Sequence, residues 1–204
     1  MTHYFDARLF GEVFVTLSVI MDPVGTIPLF LALTGGRSAR ERRRQAWQAV
    51  LVAGTVIATF AVFGQSILSY LGISVPALQG AGGLLLVLVA LELLTGRQDE
   101  PTGTKDVNVA LVPLGTPLLA GPGAIVATIV FVRRTDGAGD VLAIAAGLVA
   151  VHLVLYLALR FAVGILRVLR DSGVLLLTRI SGLLLSAIAV QLIADSVRAF
   201  VRAG

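Results

Sequence analysis

The chain repeats itself at a spacing of 99 residues, and each copy places a helix breaker inside an apolar stretch long enough to cross a membrane. Pro23, which follows Asp22, corresponds to Pro122 of Gly121-Pro122-Gly123, and Gly83-Leu84-Leu85-Leu86 corresponds to Gly182-Leu183-Leu184-Leu185. Each half holds three apolar stretches. With an odd number of crossings per half, the second copy enters the bilayer from the opposite side, which is the pattern of inverted-repeat transporters.

A chain of 204 residues that is 57% hydrophobic and 14% charged, with a mean hydropathy of +0.94, has too much apolar surface for one soluble core. It reads as an all-α polytopic membrane protein. The net charge of +4 does not indicate nucleic acid, because the basic residues sit between apolar spans, where they set topology. Lys105 is the only lysine, and no function follows from that skew. The absence of cysteine excludes disulfides, thiolate metal sites and cysteine nucleophiles, and two histidines leave little for a metal centre. The first residues carry Asp6, Arg8 and Glu12 rather than a basic stretch followed by a cleavage site, so the first span is expected to remain.

A helix needs roughly 20 apolar residues to cross a hydrocarbon core of about 30 Å. Six stretches qualify: Phe10–Leu33, Ala46–Leu71, Val75–Thr95, Val107–Val132, Val141–Phe161 and Ile180–Phe200. They form one transmembrane domain over 1–204, with a first repeat at about 1–97, a linker at 98–106 and a second repeat at about 107–204. Ten basic residues fall on one side: Arg37, Arg40, Arg42, Arg43 and Arg44, then Arg97 and Lys105, then Arg167, Arg170 and Arg179. Five fall on the other, namely Arg8, Arg133, Arg134, Arg198 and Arg202. The positive-inside rule then places both termini outside a multi-pass protein of the cell (inner) membrane.

Aspartate is a preferred N-cap and proline suits the first helical position, so Asp22-Pro23 predicts that the first span restarts in mid-membrane. Gly121-Pro122-Gly123 predicts the same for the fourth span, whose preceding half is loosened by Pro113 and Pro117. Two helix N-termini meeting at the midplane can hold an anion without a buried cation. Packed proline kinks are the competing explanation, weakened by the equivalence of the two positions. A carboxylate at the bilayer centre is costly unless paired, protonated or hydrated, so Asp22 is a functional candidate as well as a cap. The candidate substrate-binding residues are therefore Asp22, Pro23, Gly25, Thr26, Gly121, Pro122, Gly123 and Ala124. A zwitterion would set its carboxylate against amides around Gly121 to Ala124 and its ammonium toward Asp22.

Three further polar residues fall inside spans. Gln191 needs an interhelical partner or water; its equivalent Glu92 lies nearer the inner end, where it snorkels in a structural or gating role. His152, near the middle of the fifth span, either titrates or is satisfied by packing, and Arg160 reaches the inner headgroups. The small residues Gly82, Gly83, Ser181 and Gly182 suit close helix packing.

Met21-Asp22-Pro23-Val24-Gly25-Thr26-Ile27-Pro28-Leu29-Phe30, the Gly72-Ile73-Ser74-Val75-Pro76 turn running to Gly82-Gly83-Leu84, Val112-Pro113-Leu114 leading to Leu119-Ala120-Gly121-Pro122-Gly123-Ala124-Ile125, and Arg179-Ile180-Ser181-Gly182-Leu183 with Val190-Gln191 resemble the MarC family of bacterial and archaeal membrane proteins. The resemblance covers nearly the whole chain. It implies a six-helix fold related to LysE-type exporters and, from some members, transport of neutral amino acids such as alanine and glycine. The linker is short where some members carry a longer charged one.

Together these features predict six transmembrane helices arranged as two inverted three-helix repeats, with spans 1 and 4 broken at mid-membrane. They predict a secondary transporter, uptake or export, of small neutral amino acids, driven by a coupling cation (proton or sodium) and requiring no cofactor. An ion or small-solute channel and a membrane partner subunit without transport of its own are the alternatives. An enzyme is not expected, because neither a metal-ligand cluster nor a serine with a nearby base is present. The expected partners are the amino acid and the lipid bilayer, with no nucleic acid; the sequence is also compatible with a homo-oligomer.

Overall fold

The computed structural model describes residues 5–95, 119–135 and 137–203, and every regular element among them is a helix. These are α1 (Ala7–Met21), α2 (Thr26–Leu33), α3 (Ala39–Tyr70), α4 (Val75–Thr95), α5 (Pro122–Arg133), α6 (Ala138–Arg160) and α7 (Ala162–Ala203). Four of them contain a segment long and apolar enough to cross a membrane unaided: α3, α4, α6 and the Ser172–Arg202 part of α7. The three short helices flank the predicted breaks. At about 1.5 Å per residue, even the 15 residues of α1 fall short of a hydrocarbon core.

The third span begins and ends where the sequence predicts, at Val75 and Thr95. The second begins earlier, because Ser38 and Glu41 form a capping box that starts α3 seven residues before the apolar run. The hydrogen bonds from Ser38 hold the exposed Glu41 carboxyl below its usual range. α3 closes on Gly72, whose φ of +66° lets the Ile73 N–H reach back to the Leu68 carbonyl at 2.9 Å. The fifth connection is not the expected loop. Arg167 and Arg179 are helical, and the direction changes at one residue, Arg170, with φ 54° and ψ 172°. The linker at 98–106 and the first half of the fourth span, with Pro113 and Pro117, lie outside the described residues.

Two apolar clusters hold the helices together. The larger joins α1, α2, α3, α5 and α6 through buried residues that include Leu17, Ile27, Ala53, Ala124 and Val151. The smaller joins α4 to α7 through Leu86, Ala90, Leu93, Leu185 and Ala189. Leu84, Leu88, Val149, Leu153 and Leu183 point outward and are exposed, as residues facing lipid would be.

The α4–α7 seam is antiparallel and set by glycines. A Cβ on Gly83 would lie 2.9 Å from the Ala189 carbonyl oxygen and 2.7 Å from Ile193 Cγ1. A Cβ on Gly182 would lie 3.2 Å from the Ala90 carbonyl oxygen and 3.0 Å from Leu93 Cβ. Gly83 and Gly182 are 99 residues apart, and so are Ala90 and Ala189. Each glycine therefore meets the other helix's copy of the same carbonyl, a reciprocal contact of the kind a two-fold axis produces. Ser196 Oγ locks the end of the seam by donating to the Pro76 carbonyl at 2.7 Å.

This close approach makes a direct prediction. Gly83→Ala should lower stability by roughly 1–3 kcal/mol through overpacking. Gly11→Ala, where a Cβ meets nothing within 4 Å, should be neutral or gain up to about 1 kcal/mol from helix propensity. Reversible unfolding of both variants in detergent micelles checks the contrast.

Candidate functional site

α1 stops because Asp22 adopts a left-handed conformation, φ 38° and ψ 72°, which a short polar side chain tolerates better than most. Its N–H donates to the Ser18 carbonyl at 3.1 Å, and its own carbonyl accepts from the Thr26 N–H at 3.1 Å. The sequence expectation needs correction here: Asp22 ends α1 as a C-cap, and Pro23 is not the first residue of a regular helix but part of a turn preceding α2. The carboxylate nevertheless acts on the restart, because Oδ1 accepts from the Gly25 N–H at 3.1 Å, the geometry of a helix-starting cap. Thr26 Oγ1 donates to the Pro23 carbonyl at 3.1 Å.

The carboxylate is enclosed. Asp22 is 6% exposed, Thr26 7% and Thr178 9%. Ser181 Oγ on α7 donates to Asp22 Oδ1 at 3.3 Å. A Cβ on Gly25 would collide with the Asp22 carboxylate and come 2.9 Å from Thr178 Oγ1, so only glycine lets the turn before α2 approach α7 this closely. Asp22 Oδ2 is buried and has no hydrogen-bond partner, and the same holds for Ser18 Oγ one turn earlier.

The second break matches its expectation more closely. Gly121 is the extended N-cap of α5 and Pro122 opens the helix. Pro122 has no N–H, and the N–H groups of Ala124 and Ile125 donate to the Gly121 carbonyl at 3.0 and 3.2 Å. Among the described residues, the Gly123 N–H of that first turn is not engaged in this way. Gly123 is explained by packing, since a Cβ there would collide with the Leu86 side chain and lie 3.4 Å from Ile20 Cγ2. The two breaks are neighbours, since Ile20, two residues before Asp22, lies 3.4 Å from where a Cβ on Gly123 would be.

Among the described contacts, the remaining candidates do not join this site. Gln191 finds its partner within its own helix, with Nε2 donating to Asp195 Oδ1 at 2.9 Å, so the expected interhelical partner is not what satisfies it. It lines a cavity of about 390 Å³ between α1, α5 and α7, together with Glu12, Thr16, Arg134 and Asp195. Glu92 is exposed on α4. His152 Nδ1 lies 2.7 Å from the Leu148 carbonyl, and its ring edge packs against Gly54, on a different groove between α3 and α6. Reading the sequence missed Ser18 and Thr178 and took Ser181 for a packing residue. Thr178 and Ser181 are three residues apart on one face of α7, but Thr178 precedes the predicted start of the sixth span at Ile180, so only their polar spacing marked the pair and nothing in it named Asp22 as the partner.

Residues 7–201 match the MarC family integral membrane protein. The chain belongs to the MarC family. It is 36% identical over 200 residues to a UPF0056 membrane protein of Methanocaldococcus jannaschii, covering 95% of this chain and 98% of that one. It is 30% identical to the UPF0056 membrane protein YhcE of Escherichia coli, covering 96% and 94% of the two chains, and 31% identical to YvbG of Bacillus subtilis, covering 89% and 90%. No solved structure matches the chain. As a MarC family member it is a multi-pass integral membrane protein with several apolar spans.

Because the Asp22 carboxylate occupies the space a Cβ on Gly25 would need, the two positions should be coupled. Gly25→Ala should destabilise by roughly 1–3 kcal/mol. In the Asp22→Ala background the same change should cost at least about 0.5 kcal/mol less. A double-mutant cycle in micelles measures the difference.

Proposed function

We propose that this MarC family protein is a secondary transporter of small neutral amino acids such as alanine or glycine, in either direction, with its central site at the two helix breaks. The observation that carries the proposal is the Asp22 carboxylate. It is buried in a membrane protein with one oxygen unpartnered, at a point where the helix is interrupted. Such a group is stable only with a counter-charge or a proton, which is what a substrate ammonium or a coupling proton or sodium ion supplies. The adjacent start of α5, with the Gly123 N–H and the positive end of the helix dipole, suits a carboxylate. Pro23, Gly25, Thr26, Gly121, Pro122 and Ala124 build the two turns. The resemblance of the sequence to MarC proteins assigned to neutral amino acid transport supports the substrate class.

Alternating access of one repeat against the other is the mechanism proposed. It is supported by the reciprocal contacts of Gly83 with Ala189 and Gly182 with Ala90, which an inverted pair of three-helix repeats would generate. On this reading the protein has six spans, with the first formed by α1 and α2 and the fourth completed by α5. It lies in the inner membrane with both termini outside, works without catalysis or cofactor, and carries Gln191 and the cavity around it on a polar pathway. A reporter fused after residue 204 should be active as a periplasmic reporter and silent as a cytoplasmic one.

The decisive measurement is uptake and counterflow in proteoliposomes, against a panel of amino acids, with imposed proton or sodium gradients. Asp22→Asn retains an acceptor for the Gly25 N–H and removes the charge. Initial rates, normalised to folded protein, should fall about tenfold or lose their dependence on the gradient, as expected when a charge-assisted contact is removed. Full gradient-driven transport by Asp22→Asn would remove the site from the breaks. Flux that does not saturate at millimolar substrate would instead identify a channel.

A further inference from the structure

The groove between α3 and α6 is separate from the breaks, and its chemistry runs in a definite order along its length. The two helices are antiparallel, with Trp47 against Tyr156 at one end and Gly54 against His152 further along. Between them lies an open cavity of about 560 Å³. Its walls are Leu51, Thr55 and Ala58 on α3 and Val149 and Leu153 on α6. Gly54 provides the depth, and its backbone faces the His152 ring, whose Nε2 is buried and has no hydrogen-bond partner. What the groove presents along its length is apolar. From Trp47 to Ala58 it runs about 16 Å at ~1.5 Å per residue, close to half of a ~30 Å hydrocarbon core, or one leaflet.

The end marked by the aromatic pair is also the basic end. Trp47 and Tyr156 meet edge to face, with centroids 5.7 Å apart, and Trp and Tyr favour the level of the lipid headgroups. Arg43 and Arg44 stand four and three residues before Trp47, and Arg160 stands four residues after Tyr156. One helical turn beyond the aromatics, both helices thus bring guanidinium groups to the mouth of the groove. Among the described residues, none of these three arginines has an acidic side chain within ion-pair distance. Glu41, the acid nearest in sequence to Arg43 and Arg44, is engaged by Ser38. The Arg160 guanidinium lies 5.3 Å from the Phe161 ring centroid, which holds it at the helix end.

We propose that this groove is a binding site for an anionic phospholipid. One acyl chain lies between α3 and α6 and passes beneath Trp47 and Tyr156, and the phosphate is held by Arg43, Arg44 and Arg160. The groove is too apolar and too open to lipid to suit a soluble ligand, and it matches one leaflet in length. The charge at its mouth selects an anionic headgroup over a zwitterionic one.

Native mass spectrometry of the delipidated protein, titrated with dioleoyl phosphatidylglycerol or with dioleoyl phosphatidylcholine, tests the proposal. The wild type should bind one phosphatidylglycerol about tenfold more tightly than phosphatidylcholine, because three guanidinium groups favour a headgroup of net negative charge over one whose phosphate is offset by a choline cation. Arg43→Gln with Arg44→Gln and Arg160→Gln should abolish that preference, whereas Arg198→Gln with Arg202→Gln at the opposite end should retain it. Leu51→Trp, a change at an exposed position that fills the groove without touching the arginines, should weaken both lipids. Circular dichroism confirms that each variant is folded. Equal affinity of the wild type for the two lipids, an unchanged preference in the triple variant, or unchanged binding in Leu51→Trp would each overturn the site. So would a dimer mass with disulfide cross-linking through Leu51→Cys, which would make a second copy the occupant.

Discussion

In a hydrocarbon solvent a helix that stops halfway leaves peptide groups that water cannot reach, and the architecture around α1 and α2 follows from how those groups are satisfied. Asp22 meets the need from both directions. Its main chain closes α1 onto Ser18 and opens toward Thr26, while its side chain folds forward onto the Gly25 N–H. That fold requires a residue without a side chain at 25, and the space saved lets α7 bring Thr178 and Ser181 against the turn. The same economy recurs at Gly83 and Gly182, where one helix touches the backbone of another. Small residues thus set the closest helix contacts, beside two buried clusters of larger apolar side chains.

Much of this was legible in the sequence, and the failures have physical causes. Hydropathy located the third span to the residue but missed the first two turns of α3, because Arg40 to Arg44 lower the average while Ser38 and Glu41 build a sound cap. The arginines of the fifth connection read as a loop for the same reason, although most of that segment is helical. The break at Asp22 was visible through Pro23. Its left-handed geometry was not, since aspartate serves equally well as an N-cap. Thr178 and Ser181 could not be assigned to Asp22 from local spacing, because the contact joins residues from opposite ends of the chain. The packing of Gly123 against Leu86 and Ile20 was not legible, because it joins three helices far apart in sequence.

Similarity reaches across nearly the full length of membrane proteins in archaea and bacteria. The breaks and the α4–α7 seam share α7 and Leu86, since Ser181 meets Asp22 beside Gly182 and Gly123 packs against Leu86, whereas the α3–α6 groove is lined by other residues.

Arg170 occupies backbone space usually left to glycine, at a cost of about 1–3 kcal/mol, and it stands where two packed bodies meet. The segment before it rests on the larger cluster through Ala162, Ile165 and Leu166, and the helix after it is the partner of α4. A longer loop would absorb any slippage between those bodies. A single-residue joint has no slack, so rotation at Arg170 turns the helix that carries Thr178 and Ser181. The Asp22 carboxylate would sense that turn within three helical turns of the pivot.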